Sequence, residues 1–243
     1  MKPGVRALGI AESYRADRST LAGAVVRASR VADGFAFSTA TVGGTDVTDA
    51  AIELYDALDR EDVRYVMTAG VALCWYNVID LQGLSRAVDR PVIAVTFEDG
   101  EDLETGIRAA FDGAAMTERL ERYRALPERR RVLEPDHGGE PHHGGEPHHG
   151  GEPDHGGEPD HGRESDHDGE SDHDGEPDHD GEQRDRSAEE PLETCFVRSV
   201  GIDPDEAAAV VRAFTPEGGR PEPLRVARLA ARGADAWQRS RAP

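Results

Sequence analysis

Forty-eight consecutive residues of this chain, Glu134 to Gly181, cannot contribute to a hydrophobic core. They run as eight six-residue units: EPDHGG, EPHHGG, EPHHGG, EPDHGG, EPDHGR, ESDHDG, ESDHDG and EPDHDG. The tract holds no aromatic residue and no Val, Ile or Leu, so burial cannot offset the chain entropy that folding would cost. It is expected to be a disordered, acidic, His-rich insertion spanning 134–182. Any core must then be built jointly by the flanking pieces, 1–133 and 183–243, as a single domain.

The tract also distorts the composition. It holds 17 of the 49 acidic residues, one of the 28 basic residues and all ten histidines. The other 195 residues carry 32 acids and 27 bases, a net charge of only −5. Nucleic acid is therefore not excluded as a partner. Chemistry in the folded part must be run by carboxylates, hydroxyls, cysteine or arginine. Lys2 is the only lysine. Few lysines with surplus acid points to a salt-rich, halophilic cytoplasm, where carboxylates keep a protein hydrated. No secretory pattern opens the chain, and the longest apolar stretch, Tyr65 to Ile79, is too short and too polar to span a membrane. Cys74 and Cys195 form neither a disulfide framework nor a metal motif. The chain reads as cytoplasmic.

Apolar patterning gives the element order. Val5–Ala11, Leu21–Ala28 and Val31–Ala40 are strand-like, with short links that imply antiparallel pairing and a break at Asp33-Gly34 that marks a bulge or turn. From Asp46, Val47, Ala51, Leu54 and Leu58 fall at helical spacing. Strands at Val63–Val71 and Pro91–Phe97 alternate with helices at Val78–Val88, Leu103–Phe111 and Thr117–Leu126. After the tract come a strand (Glu193–Val200), a helix opened by Asp203-Pro204 as cap and first turn, and a last helix from about Pro223 to Ala231. Strands separated by helices are expected to be parallel. Three antiparallel strands followed by alternating helices and parallel strands is the order of an α/β ribonuclease H-like mixed sheet. Flavodoxin-like sheets open with βαβ, which this chain does not.

Acids gather at the strand ends. Glu12 follows the first strand; Asp46 and Asp49 open the first helix; Asp80 follows the fourth strand, beside Asn77. Carboxylates at such places hold Mg²⁺ or Mn²⁺, whose hard oxygen preference requires no histidine. The structural alternative is equally concrete. Asp46-Val-Thr-Asp49 and Asn77-Val-Ile-Asp80 both fit helix caps, and Glu12 fits a solvated strand end. Trp75 and Tyr76 stand where strand meets helix, placed to stack on a base or to pack on the rim. Arg225, Arg228 and Arg232 lie at helical spacing, suited to phosphates or to a solvated face; Arg129-Arg130-Arg131 offers the same choice. No P-loop or dinucleotide fingerprint is present. The hexad tract could hold Zn²⁺, Ni²⁺ or Mn²⁺ loosely, or serve as a solubilising spacer.

Five segments together resemble the largely archaeal endonuclease dU family, regarded as related to endonuclease V: VRALGIAES (5–13), TVGGTDVTDA (41–50), GVALCWYNVIDL (70–81), RPVIAVTF (90–97) and PEPLRVARLAA (221–231). The resemblance implies a ribonuclease H-like fold and a metal-dependent endodeoxyribonuclease of DNA repair acting on deaminated bases, deoxyuridine among them. On that reading Asp46 and Asp80 occupy acidic positions, Glu12 is a first-strand ligand, and Asp49 and Asn77 support the site. Two departures stand out. The family acid after the Gly-apolar pair of the first strand is replaced by Ala11, and Met67-Thr68-Ala69-Gly70 lacks the second acid of endonuclease V, its place held by Ala69. For Glu12 to replace the first acid, the strand would need a bulge, because neighbouring side chains point to opposite faces. A relative that binds nucleic acid without cutting it is the alternative.

Overall fold

The computed structural model describes residues 1–14, 17–97, 103–132, 195–215 and 219–241. The chain divides into two units, Met1–Pro135 with Pro191–Pro243, and Asp136–Glu190. Every described residue belongs to the first, so the expectations for the hexad tract lie outside the described residues.

In chain order the elements are β1 (Arg6–Tyr14), β2 (Arg18–Arg27), β3 (Ala32–Thr41), α1 (Val47–Leu58), β4 (Val63–Thr68), the short turn α2 (Leu73–Tyr76), β5 (Asn77–Val78), α3 (Leu81–Val88), β6 (Val92–Thr96), α4 (Leu103–Ala110), α5 (Gly113–Arg124), β7 (Arg130–Val132), β8 (Cys195–Val200), α6 (Pro204–Phe214) and α7 (Glu222–Arg239). Seven strands form one mixed sheet in the order β3-β2-β1-β4-β6-β8-β7. The β1–β2 and β2–β3 pairs are antiparallel; β1, β4 and β6 are parallel. This is the mixed α/β sheet that the element order implies.

Alternation along β1 explains how helices cover both faces. Leu8 and Ile10 pack with Leu54, Leu81 and Leu84 on the α1/α3 side. Ala7 packs on the other side with Met67, Ile93, Val211 and Leu224. A period of two makes this division automatic. Gly9 faces α7 so closely that a Cβ there would stand 2.2 Å from the backbone of Pro223; no other residue fits this crossing. The break at Asp33-Gly34 is a bulge: the β2–β3 register shifts between Val25 and Val26, and Asp33 is the extra residue. Its carboxylate accepts from Arg6 at 2.6 Å and from Arg27 at 2.8 Å, and these hydrogen bonds hold it far below the ordinary carboxylate range.

Four expectations change. β8 runs antiparallel to β6, because the chain returns from the far edge through β7 rather than by a helical crossover. β7 itself has no counterpart among the expected elements. The third helix starts at Leu81, not Val78: Asn77 and Val78 bridge back to Leu73 and Ala72, so the backbone at 77–78 is extended. The last helix continues past Gly233 to Arg239.

Candidate functional site

The C-terminal ends of the parallel strands β1 and β4 open onto a cavity of about 280 Å³ lined by Ala11, Glu12, Ser13, Ala69, Arg228 and Arg232. The floor is apolar. Ala11 is buried and shares a cluster with Ala69, Val226 and Ala227, and the Ala69 amide donates to the Ile10 carbonyl at 3.0 Å. The two positions where the resemblance leads one to expect acids are thus neighbours, and both are alanine. Arg228 and Arg232 are exposed, one helical turn apart on α7. Among the described residues neither is paired with a carboxylate.

Among the described residues Glu12 is the one acid lining this cavity. The β1–β2 register stays regular through Ala11↔Ala22, Glu12↔Leu21 and Ser13↔Thr20, so no bulge swings Glu12 round to the face of Ala11. It sits on the Leu8–Ile10 side, where its Oε2 accepts from the Cys74 amide and from Ser19 Oγ at 3.2 Å. It also borders a second cavity, of about 320 Å³, with Ala72, Trp75, Tyr76 and Leu103.

That second cavity is framed by an unusual backbone. Cys74, Trp75 and Tyr76 are three consecutive residues with φ of 51°, 57° and 57°, a left-handed turn that L-residues avoid. The fold supplies its supports. Gly43 N donates to Cys74 O at 2.7 Å, and the Trp75 ring lies so near Gly43 that a Cβ there would meet it at 2.8 Å. Phe111 packs against Trp75 with centroids 5.3 Å apart and ring planes tilted by 48°. Beneath Phe111 lies the Arg119 guanidinium, 3.9 Å from the ring centroid, donating to the Gly43 and Gly44 carbonyls. Trp75 remains half exposed. Sequence reasoning missed Arg119; no local signal marks it, since the Gly44 carbonyl that it binds lies 75 residues away.

The other acids are placed elsewhere. Asp46 accepts from the Thr41 amide at 3.1 Å, from Thr41 Oγ1 at 2.8 Å and from Asn77 Nδ2 at 2.7 Å. Burial raises its pKa, but the hydrogen bonds from Thr41 and Asn77 outweigh this and leave it below the ordinary value. Asn77 is buried and also accepts from the Val47 amide at 3.2 Å. Asp80 is exposed and caps α3 by accepting from Gly83 N at 2.9 Å. Asp49 and Asp80 border a third cavity, of about 390 Å³, with Thr48, Gln82 and Arg122. Arg225 is ion-paired with Glu222 at 2.6 Å and does not line the Arg228 cleft. Among the described residues no three His, Cys, Asp or Glu side chains lie close enough together to hold a metal ion. Glu12, Asp46 and Asp80 each serve a separate local structure, and as placed the three do not converge on one Mg²⁺ or Mn²⁺ ion.

The sequence profile described as endonuclease dU matches residues 3–140 and 181–234. This chain belongs to the endonuclease dU family. A UPF0215 protein of Pyrobaculum calidifontis is 37% identical over 122 residues, which is 49% of this chain and 66% of that relative. The chain thus matches just under two thirds of that relative's length. Among solved structures, a protein of unknown function from Archaeoglobus fulgidus is 19% identical and superposes over 95% of this chain and 98% of its own, with a TM-score of 0.64. Human ENDOV superposes over 96% of this chain and 85% of its own at 11% identity, with a TM-score of 0.51. The endonuclease dU chain therefore has the fold of endonuclease V. Among the described residues no helix is long and apolar enough to cross a membrane.

Proposed function

We propose that the protein acts on nucleic acid, with DNA carrying deaminated bases such as deoxyuridine as its substrate. Strand phosphates meet the fold at the cleft of Glu12, Arg228 and Arg232. The observation that carries the reading is this pair of exposed, uncompensated arginines over the ends of β1 and β4. Guanidinium groups bind phosphate oxygens as forked donors. Trp75 and Tyr76, across Glu12 from them, offer a half-exposed indole and a phenol ring for stacking on a base. The family's name and the endonuclease V fold support endonucleolytic cleavage as the outcome. In that reading Glu12 is the acid closest to the bound strand. No three acids of the described residues lie close enough together to hold a metal ion, so no step through Mg²⁺ or Mn²⁺ is drawn from them. Residues 1–133 and 183–243 form the working domain and 134–182 its insertion.

A second reading is favoured by Ala11 and Ala69. An apolar floor where acids would converge suits a relative that binds nucleic acid without cutting it.

One assay separates the two. DNA containing deoxyuridine or deoxyinosine is incubated with the protein, with and without Mg²⁺ or Mn²⁺, at moderate and high salt, and nicking and binding are measured in parallel. Metal-dependent nicking beside the altered base supports cleavage. Salt-dependent binding without nicking supports the second reading. Absence of both at every salt concentration overturns both.

A further inference from the structure

The two edges of the sheet are treated differently. At one end, β7 is three residues long and carries Arg130 and Arg131, and short, charged strands blunt an edge against pairing. At the other end, β3 is ten residues long, and from Gly34 to Val42 (GFAFSTATV) it has no charge, no proline and no lysine. Among the described residues β2 flanks it on one side and no strand lies along the other.

The pleat fixes which groups of β3 are free. In an antiparallel pair, residues alternate between those whose N–H and C=O both face the partner and those whose groups both face away. Thr41 belongs to the second set: its amide donates to Asp46, and its carbonyl accepts from Asn77 Nδ2 at 3.1 Å. The β2–β3 register is unbroken from Thr41 back to Gly34, so Phe35, Phe37 and Thr39 also aim their amides and carbonyls away from β2. At the far end the Asp33 carbonyl is taken by Arg60 at 2.9 Å. The edge is closed by side chains at both ends and open over 35–39. The side chains of Phe35 and Phe37 are 49% and 50% exposed, a poor arrangement for a strand that stays alone in water.

We propose that this edge pairs with the same edge of a second copy, antiparallel and two-fold symmetric about Phe37. The open run is self-complementary in that register. Phe37 exchanges both backbone hydrogen bonds with the partner's Phe37. Phe35 pairs with the partner's Thr39, and Thr39 with the partner's Phe35, giving six bonds and a continuous fourteen-stranded sheet. Charge favours this contact over others. Copies with a formal net charge of −21 repel, and a neutral strip lets them approach closely. At one hydrogen bond per 100–200 Å², six bonds correspond to roughly 600–1,200 Å² buried. That is the lower end of specific interfaces, so the dimer dissociates on dilution.

The test is the mass of the full chain by sedimentation over a wide concentration range, with the same runs on Phe37→Asp. The exposed side chain lets that variant keep its fold, which circular dichroism checks. The wild type is expected to shift from monomer to dimer with concentration, and Phe37→Asp to weaken the dimer at least tenfold. As a second measurement, Phe37→Cys in a Cys195→Ser background is oxidised. The two Cα atoms of such a pair stand about 5.5 Å apart, within disulfide reach, so a cross-linked dimer forms. A wild type that stays monomeric throughout overturns the proposal and leaves the edge to a strand of another protein. A dimer that ignores Phe37→Asp, or a Phe37→Cys chain that does not cross-link, overturns it as well.

Discussion

Gly43 N donates to Cys74 O at 2.7 Å, joining the loop after β3 to the left-handed turn that presents Trp75 and Tyr76. Gly43 has a φ of 66°, and a Cβ there would stand 2.8 Å from the Trp75 ring. Gly43→Ala therefore meets backbone strain and a ring clash together. It is expected to cost about 1–3 kcal/mol and to shift Trp75 emission, recorded in a Trp237→Phe background. Urea unfolding followed by circular dichroism measures the first effect. Unchanged stability and emission would show that the turn does not depend on Gly43.

The crossing of β1 and α7 is less forgiving. Gly9→Ala places a methyl 2.2 Å from the Pro223 backbone, and neither partner is a flexible side-chain end. Overpacking of this kind costs typically 1–3 kcal/mol and more where nothing yields, so a loss of at least about 3 kcal/mol is expected. The urea midpoint of Gly9→Ala against wild type reads it.

Acid should destabilise the fold in part through Asp46. Its folded pKa lies below its unfolded one, so its contribution is present above the unfolded value, about 3.9. It is lost as pH falls through the lower folded value. Asp46→Ala is expected to be less stable than wild type at pH 7 and to lose less on going from pH 5 to pH 2. Unfolding curves at stepped pH check this; parallel acid profiles for the two proteins would remove Asp46 from the account.

Arg228 and Arg232 should be read from salt dependence. Replacing both with Ala is expected to weaken binding to any DNA sequence alike. It should also flatten the plot of log affinity against log salt by about 0.9 for each phosphate that is no longer neutralised. Arg225→Ala, at an arginine already held by Glu222, is the control and should move the slope little. Equal slopes for wild type and the double variant would place the phosphates elsewhere.

Much of this fold was legible because its signals are local. Alternation marks β1 to β3, the helical spacing of Val47, Ala51 and Leu54 marks α1, and Asp203-Pro204 marks α6, with Asp203 accepting from the Asp205 amide at 2.9 Å. β7 escaped because three residues, two of them arginine, carry no periodic signal. The direction of β8 escaped because strand orientation depends on the route of the chain, not on the strand's residues. The site was less legible. Cys, Trp and Tyr do not advertise positive φ, so the left-handed turn reads as an ordinary apolar run. Asp46 and Asp80 look alike in sequence as capping acids or ligands. Only their surroundings separate the two, and there each carboxylate is engaged in local structure.

The seating of Gly9 against Pro223 also sets a timetable for synthesis. The first strand cannot acquire its full cover until α7 has been made, and Pro223 follows Val132 by 91 positions. At ordinary translation speeds that is on the order of 5–20 s. Until α6 and then α7 are made, the nascent sheet has its α1 face covered and its other face bare. The most water-loving stretch of the polypeptide is what emerges from the ribosome during the wait.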